Sequence, residues 1–141
     1  MITCSRFLEF DAAHRVMQHE SKCRTIHGHR YKIEVIVTAD QLDMVGRVID
    51  FGVIKGVLGQ WIDDNLDHTA ILRFDDPLLE SISKDSESFK KPYTVMFNPT
   101  AENLSKHIYE IGNQLLKSHG ISVVKVICWE TPNCKADYAE I

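Results

Sequence analysis

The chain has 141 residues, 44% of them hydrophobic and 26% charged, which fits one domain covering 1–141 with a substantial buried core. Its net charge of -4 argues against a nucleic-acid binder, because such proteins need many cations to neutralise phosphates. No apolar run approaches the roughly 18 residues of a membrane-spanning helix, and the first residues lack a signal-peptide pattern. We therefore expect a cytoplasmic protein, with no nucleic-acid or membrane partner, whose four cysteines are free thiols.

Hydrophobic periodicity in the first half of the chain predicts two strands and a helix. Residues 2–10 indicate a first strand, and residues 29–38 indicate a second one, in which apolar and polar side chains alternate. Between them, residues 11–26 are mixed and polar and indicate a long connection. Residues 51–66 carry apolar side chains at three- and four-residue steps, which predicts a helix capped by Asp50.

The second half begins with an acidic stretch without periodicity. Residues 73–92 indicate mainly a surface loop, with one candidate helical turn at 77–82, and 93–97 is a candidate short strand. A second helix is predicted from a Thr100 cap to Gly120. It is followed by the last two predicted strands, 122–131 and 136–141.

This order of elements predicts an α+β fold. Two hairpins with two helices between them (ββααββ) form a four-stranded antiparallel sheet with both helices on one face. Such a sheet leaves two open edges, and open edges are either protected or paired with another chain. We therefore expect a homo-oligomer joined through its sheets.

Three histidines carry the strongest chemical signal. His27 and His29 are two residues apart at the start of a predicted strand, so both imidazoles face the same side. His14 lies just after the first strand, which should pair with the second, and can supply a third nitrogen. Three histidine ligands without a fourth protein ligand leave an open position, which is typical of a catalytic Zn²⁺ site. The alternative from the residues alone is a surface histidine pair and an unrelated third histidine.

Other candidate groups accompany these histidines, each with an alternative interpretation. Cys23 has cationic neighbours, and its position leaves a base, a fourth zinc ligand and an inert thiol open. Asp67 can orient the adjacent His68 for acid–base chemistry, or it can cap a turn. Glu130 at a strand end can bind a planar N–C–N donor edge with both oxygens, or it can be an ordinary surface charge. His107 is interpreted as a helix-surface residue.

Six short motifs in this order resemble those of the 6-pyruvoyltetrahydropterin synthase superfamily. Each motif is short, but together they span nearly the whole chain, which makes the resemblance specific. Three residues separate Cys23 from His27, as in the bacterial carboxy-forming members of preQ0 and queuosine synthesis, whereas pyruvoyl-forming members typically have five. The motifs are Phe10-Asp11-Ala12-Ala13-His14, Cys23-Arg24-Thr25-Ile26-His27-Gly28-His29, Asp50-Phe51-Gly52, Leu66-Asp67-His68, Pro99-Thr100-Ala101-Glu102-Asn103 and Trp129-Glu130-Thr131.

The resemblance implies a tunnelling fold (T-fold) whose sheets close into a barrel by oligomerisation, usually as a hexamer of two trimers. It also implies a lyase that converts 7,8-dihydroneopterin triphosphate into 6-carboxy-5,6,7,8-tetrahydropterin, acetaldehyde and triphosphate. The implied cofactor is Zn²⁺, bound by His14, His27 and His29.

The resemblance further implies a role for each of the other site residues. Cys23 would be the proton acceptor, with Asp67 and His68 as the partner acid–base pair. The residues implied in pterin binding are Glu130, Thr100 and Glu102. Two alternatives stay open: a pyruvoyl-forming synthase, and a non-catalytic zinc- or pterin-binding module. The triphosphate site is a guess, with Lys22, Arg24 and Arg30 as its candidate cations.

Overall fold

Six strands form one mixed sheet in the computed structural model, which describes residues 1–140. The strands are β1 Thr3–His14, β2 His27–Ala39, β3 Thr69–Arg73, β4 Tyr93–Val95, β5 Ile121–Thr131 and β6 Cys134–Tyr138. Their order across the sheet is β4-β3-β1-β2-β5-β6. Strands β1, β2, β5 and β6 pair antiparallel, whereas β3 pairs parallel with both β1 and β4.

The α+β class is therefore confirmed, but the four-stranded antiparallel sheet is wrong. The missed strand β3 is nearly continuously buried, so it lacks the alternation that reveals a half-exposed strand. Strand β1 continues to His14, although residues 11–14 were expected in the following connection. The candidate short strand at 93–97 is present as β4. Residue 141, predicted in the last strand, lies outside the described residues.

Both predicted helices are present. The first begins at α1 Phe51–Ile54, passes through a π-helical turn at Lys55–Gly59 and continues as α2 Gln60–Asn65. The Asp50 carboxylate caps it by accepting from the Gly52 N–H at 2.8 Å.

A short helix and then the second predicted helix follow in the second half. The candidate turn at 77–82 is a short helix, α3 Leu78–Ser83. Helix α4 Ala101–Leu116 ends through a 3₁₀ turn, Lys117–His119, at Gly120, whose φ of 75° favours glycine. Within residues 1–140, no helix is long and apolar enough to cross a membrane.

One face of the sheet builds the core against the helices. Alternate residues of β2 are fully buried there, and α4 contributes a matching apolar stripe. Burial of each such side chain contributes roughly 1.5–3 kcal/mol. Because the same alternation continues to the strand ends, His14 and His29 lie at one end of this core face. The core residues of β2 and α4 include Tyr31, Ile33, Val35, Val37, Leu104, Ile108 and Leu116.

Candidate active site

Three imidazoles converge at the end of the β1–β2 hairpin. His14 and His27 are register partners across the two strands, and His29 is the partner of Ala12. The Nε2 atoms of His14 and His27 lie 3.2 Å apart, and the candidate ligand atoms of all three histidines lie within 4.8 Å of one another. In a tetrahedral zinc site with Zn–N bonds of about 2.05 Å, ligand atoms are separated by about 3.3 Å. The separation of His14 and His27 therefore matches the spacing of two ligands on one such ion, with His29 close enough to be a third.

Backbone carbonyls fix two of these imidazoles. The His14 Nδ1 donates to the Pro99 carbonyl at 2.7 Å, and the His27 Nδ1 donates to the Thr25 carbonyl at 2.6 Å. A ring that donates through Nδ1 keeps the lone pair of its Nε2 free, which is the tautomer that binds a metal. The Nε2 of His29 is buried without a hydrogen-bond partner. An orphaned buried polar atom costs about 1–3 kcal/mol, and a metal ion would satisfy it.

The Glu130 carboxylate lies beside the cluster at the end of β5. Its Oε1 is 3.5 Å from the Nε2 of His29, and its Oε2 is 3.8 Å from the Nε2 of His14. Burial lowers the pKa of both histidines, while the Pro99 carbonyl (for His14) and the Glu130 charge oppose this shift. The neutral imidazole, which is the form that binds metal ions, is therefore favoured.

Cys23 lies in a 3₁₀ turn, Lys22–Arg24, and is partly buried. Its sulfur is not part of the ligand cluster, which contains the three histidines alone among the residues described. The arrangement therefore gives no support to a fourth zinc ligand and leaves Cys23 as a base or a free thiol. All four cysteines are free, as predicted.

Asp67 and His68 form a direct pair. The Nδ1 of His68 is 2.9 Å from an Asp67 carboxylate oxygen, and the other oxygen accepts from the Asp11 N–H at 2.9 Å. Burial opposes ionisation of Asp67, but the hydrogen bonds from Asp11 and His68 outweigh it and lower its pKa. His68 has a φ of 59°, a left-handed conformation that is uncommon outside glycine. The surrounding contacts hold this strained residue beside its aspartate.

This pair groups with the Asp11 carboxylate and is not part of the histidine cluster. Asp11 and its register partner Arg30 point away from the core, because they alternate with Ala12 and His29. Arg30 donates to the Asp11 carboxylate at 2.9 Å, and both residues line a cavity of about 500 Å³ together with His68. Within one chain, the structure therefore does not place the acid–base pair on the core face that holds the predicted metal ligands.

The two remaining predicted site residues begin helix α4. The Thr100 hydroxyl accepts from the Asn103 N–H at 3.2 Å and so acts as the helix cap. Glu102 lies exposed in the first turn. Burial, followed by the charges of Glu130 and Glu102, raises the pKa of Cys128 to about 12. The predicted Thr100 cap is therefore confirmed.

Sequence reasoning misplaced one histidine and missed one backbone partner of the site. His107 is not a surface residue: it packs against Trp61, Phe97 and Tyr93, and its Nε2 lies 2.6 Å from the Tyr93 hydroxyl. Its spacing from the apolar stripe of α4 could have indicated this. The Pro99 carbonyl was missed as a partner of His14, since a backbone acceptor leaves no signal in side-chain chemistry.

Fold and site together define a small α+β enzyme domain with a cluster of three histidines spaced to hold one metal ion. The chain belongs to the 6-pyruvoyl tetrahydropterin synthase family, which matches residues 3–140. It is 43% identical over 135 residues to the 6-carboxy-5,6,7,8-tetrahydropterin synthase of Rickettsia conorii, covering 95% of this chain and 97% of that one. It is 33% identical over 157 residues to the Aquifex aeolicus protein of the same name, covering 96% of each.

Solved structures show the same fold. An uncharacterized protein from Wolinella succinogenes aligns with a TM-score of 0.84 at 24% identity, covering 99% of this chain and 98% of that one. The Caenorhabditis elegans 6-pyruvoyl tetrahydropterin synthase aligns with a TM-score of 0.68 at 24% identity, covering 99% and 96%. The resemblance read from the six motifs is thus confirmed, and the chain is a lyase-type tetrahydropterin synthase with a small-molecule substrate.

Proposed function

We propose that this chain is a zinc-dependent 6-carboxytetrahydropterin synthase. Its reaction converts 7,8-dihydroneopterin triphosphate and water into 6-carboxy-5,6,7,8-tetrahydropterin, acetaldehyde and triphosphate, on the route to preQ0 and queuosine. The observation that carries the proposal is the convergence of three imidazole nitrogens beside a carboxylate. The names of the relatives, and the three-residue spacer after Cys23, support the carboxy product over the pyruvoyl product.

Zinc suits the donor set. All three donors are imidazole nitrogens, two rings are held in the ligating tautomer, and the buried Nε2 of His29 has no other partner. When bound, Zn²⁺ supplies a Lewis acid toward the substrate's side-chain hydroxyls and stabilises negative charge that develops there. The residues that would hold it are His14, His27 and His29.

The other groups divide the work of binding and proton transfer. Glu130, half-exposed at the strand end, binds the N–C–N edge of the pterin through both carboxylate oxygens. Cys23 accepts the proton from a carbon of the substrate side chain. Asp67 holds the His68 ring, which returns a proton to the side chain or to the leaving oxygen. Thr100 and Glu102 lie at the start of α4, on the side of the Pro99 carbonyl.

A second chain supplies the acid–base pair in this proposal. Asp67 and His68 group with the outward-facing Asp11 instead of with the three histidines, and in this proposal a complete site therefore requires two copies. Strand β1 pairs with β3 only over Ala12–His14, and β6 pairs only with β5, so both edges of the antiparallel part are open among residues 1–140. We propose that these edges join into a homo-oligomer, a hexamer of two trimers as the family resemblance implies.

The product decides between the open alternatives. Incubation of the zinc-loaded protein with 7,8-dihydroneopterin triphosphate, followed by mass analysis, should give 6-carboxytetrahydropterin with acetaldehyde and triphosphate. A pyruvoyl product would replace the proposed reaction by that of the pyruvoyl-forming synthases. No turnover with zinc bound would favour the non-catalytic module.

The role of Cys23 has its own test. A Cys23→Ala variant should bind one zinc per chain, as the wild type does, while turnover falls by about 10² to 10⁴, the usual contribution of a proton-transfer group. Cys134→Ala is the matched control, because this cysteine is exposed in the β5–β6 hairpin. Near-full turnover in Cys23→Ala would refute the proton-acceptor role.

A further inference from the structure

A buried ion pair ties the end of β1 to the segment before α3. The Asp76 side chain is fully buried, and its two oxygens accept from Nε and Nη2 of Arg15, both at 2.7 Å. Burial opposes ionisation of Asp76, but the guanidinium outweighs it and lowers the pKa, so the carboxylate is charged. A bidentate pair fixes orientation as well as distance. Because such a buried pair contributes little net stability, its use lies in what it holds in place.

Arg15 links the buried ion pair to the turn that contains Cys23. Its Nη1 donates to the Arg24 carbonyl at 3.4 Å, and the N–H of the next residue, Val16, donates to the Cys23 carbonyl at 2.8 Å. Two successive carbonyls of the turn are thus bound from the Arg15 side. The short backbone bond is the stronger contact, and the anchored guanidinium sets the direction in which Val16 leaves β1.

The other end of the same turn is hydrogen-bonded to His27, one of the proposed metal ligands. The Thr25 N–H donates to the Lys22 carbonyl at 3.0 Å, and the Thr25 carbonyl accepts from the Nδ1 of His27. Cys23 therefore lies between two anchors, the Arg15–Asp76 pair on one side and the histidine cluster on the other. Its turn has no buried side chain of its own. The anchors, rather than core packing, determine where the thiol lies.

We infer that Asp76 is a positioning residue that sets the Cys23 thiol against the active site by holding Arg15. The inference rests on the proposed function, in which Cys23 accepts a proton from the substrate. The Asp76 side chain makes no hydrogen bond to a proposed site residue, and it is linked to the Cys23 turn through Arg15, which leads to Val16 and to the Arg24 carbonyl. A displacement of about 1 Å at a reacting group costs up to about 10² in rate, so a lost anchor should lower turnover more than substrate binding.

Adjacent aspartates offer a matched pair of variants. Asp76→Asn keeps one oxygen to cap α3 through the Leu78 N–H, but it cannot accept both hydrogen bonds from Arg15. Asp75→Asn removes an exposed pair with Arg73 that has a similarly short contact of 2.6 Å. The two variants make the same chemical change one residue apart, and only the first breaks the anchor.

The experiment measures turnover and the reactivity of Cys23 in each zinc-loaded variant. For Asp76→Asn we expect kcat to fall about tenfold or more with KM little changed. Alkylation of Cys23 by iodoacetamide, mapped by peptide mass and normalised to the exposed Cys134, should rise severalfold because the turn is loosened. Zinc content should stay at the wild-type value, and Asp75→Asn should match the wild type throughout.

Each outcome decides the inference. Wild-type kcat and an unchanged Cys23 to Cys134 alkylation ratio in Asp76→Asn would overturn it. If that variant does not fold, Arg15→Lys keeps the charge with a single contact and should show the same changes to a smaller extent; wild-type values there would also overturn it. A changed ratio alongside an active Cys23→Ala variant would leave the positioning role standing and remove the proposed role of Cys23.

Discussion

Removing the metal from the three-histidine cluster should lower the thermal stability of the chain without unfolding it. The cluster belongs to one hairpin, whose strands are paired over their whole length from Thr3–Thr38 to His14–His27. The large core lies beside it and does not depend on an ion. The metal-free chain should therefore keep a cooperative thermal transition, unlike small domains that a structural zinc holds together.

The size of the effect follows from mass action. A ligand that binds only the folded state stabilises it by RT ln(1 + [L]/Kd), or about 4 kcal/mol when free zinc is 1,000 times its dissociation constant. For a chain of this size, 1 kcal/mol shifts Tm by roughly 3 °C. Re-adding zinc to the stripped chain should thus raise Tm by roughly 10 °C. Part of this gain comes from the buried Nε2 of His29, which has no partner otherwise.

Differential scanning calorimetry at fixed chain concentration measures this shift. A His29→Ala variant should lose most of it, whereas His119→Ala, an exposed histidine at the end of α4, should show the full wild-type rise. An equal rise in His29→Ala would place the zinc elsewhere. A stripped chain without any cooperative transition would show that the metal is structural and would refute the reasoning.

Three further perturbations test the oligomer, the core and the half-buried histidine. Mixed oligomers of Cys23→Ala and His68→Ala should recover about a quarter of wild-type activity. In a random mixture, half of the sites receive an intact Cys23 from one chain, and half of those receive an intact His68 from the other. Gly112→Ala should destabilise by about 1–3 kcal/mol, since a Cβ there would lie 3.0 Å from Cγ2 of Val123. Burial lowers the pKa of His107 below its ordinary 6.5, so stability should fall as pH drops through 6.5.

Each of these has a control. Neither variant should be active alone. If the two variants exchange chains and no activity is recovered, the two-chain site would be contradicted. Glu110→Ala, on the exposed face of α4, should change the free energy of unfolding far less than Gly112→Ala. For His107, the folded state disfavours the proton, so the stability it contributes is complete above pH 6.5 and lost below it. A His107→Gln variant should therefore have a flatter profile of unfolding free energy against pH; identical profiles would contradict this assignment.

The convergence of the three histidines on one hairpin could be predicted from the sequence because its signal is local. His27 and His29 follow the alternation of β2, and the apolar pattern of that strand determines which face they share. The Asp67–His68 pair could be found as a motif, but its side of the sheet could not. That side depends on the left-handed backbone of His68 and on hydrogen bonds to Asp11, distant in sequence.

Strand β3 and the Arg15–Asp76 pair were beyond sequence reasoning for a related reason. A short strand buried on both faces has no period to detect, and its parallel pairing with β1 is a tertiary choice. Arg15 and Asp76 stand 61 residues apart, and nothing in either neighbourhood marks them as partners. The Thr100 cap, by contrast, could be predicted, because a cap lies next in sequence to the helix that it begins.

The placement of all three proposed metal ligands in one hairpin has a consequence for the order of folding. Contacts between residues near in sequence close with a small loss of chain entropy, whereas β3 must find β1 across a long crossover, from Ala12 to Thr69. The hairpin can thus form before β3 and its neighbouring acid–base pair are in place. If the cluster binds zinc as proposed, a newly synthesised chain would then be able to capture the ion early, well before it could act on a pterin.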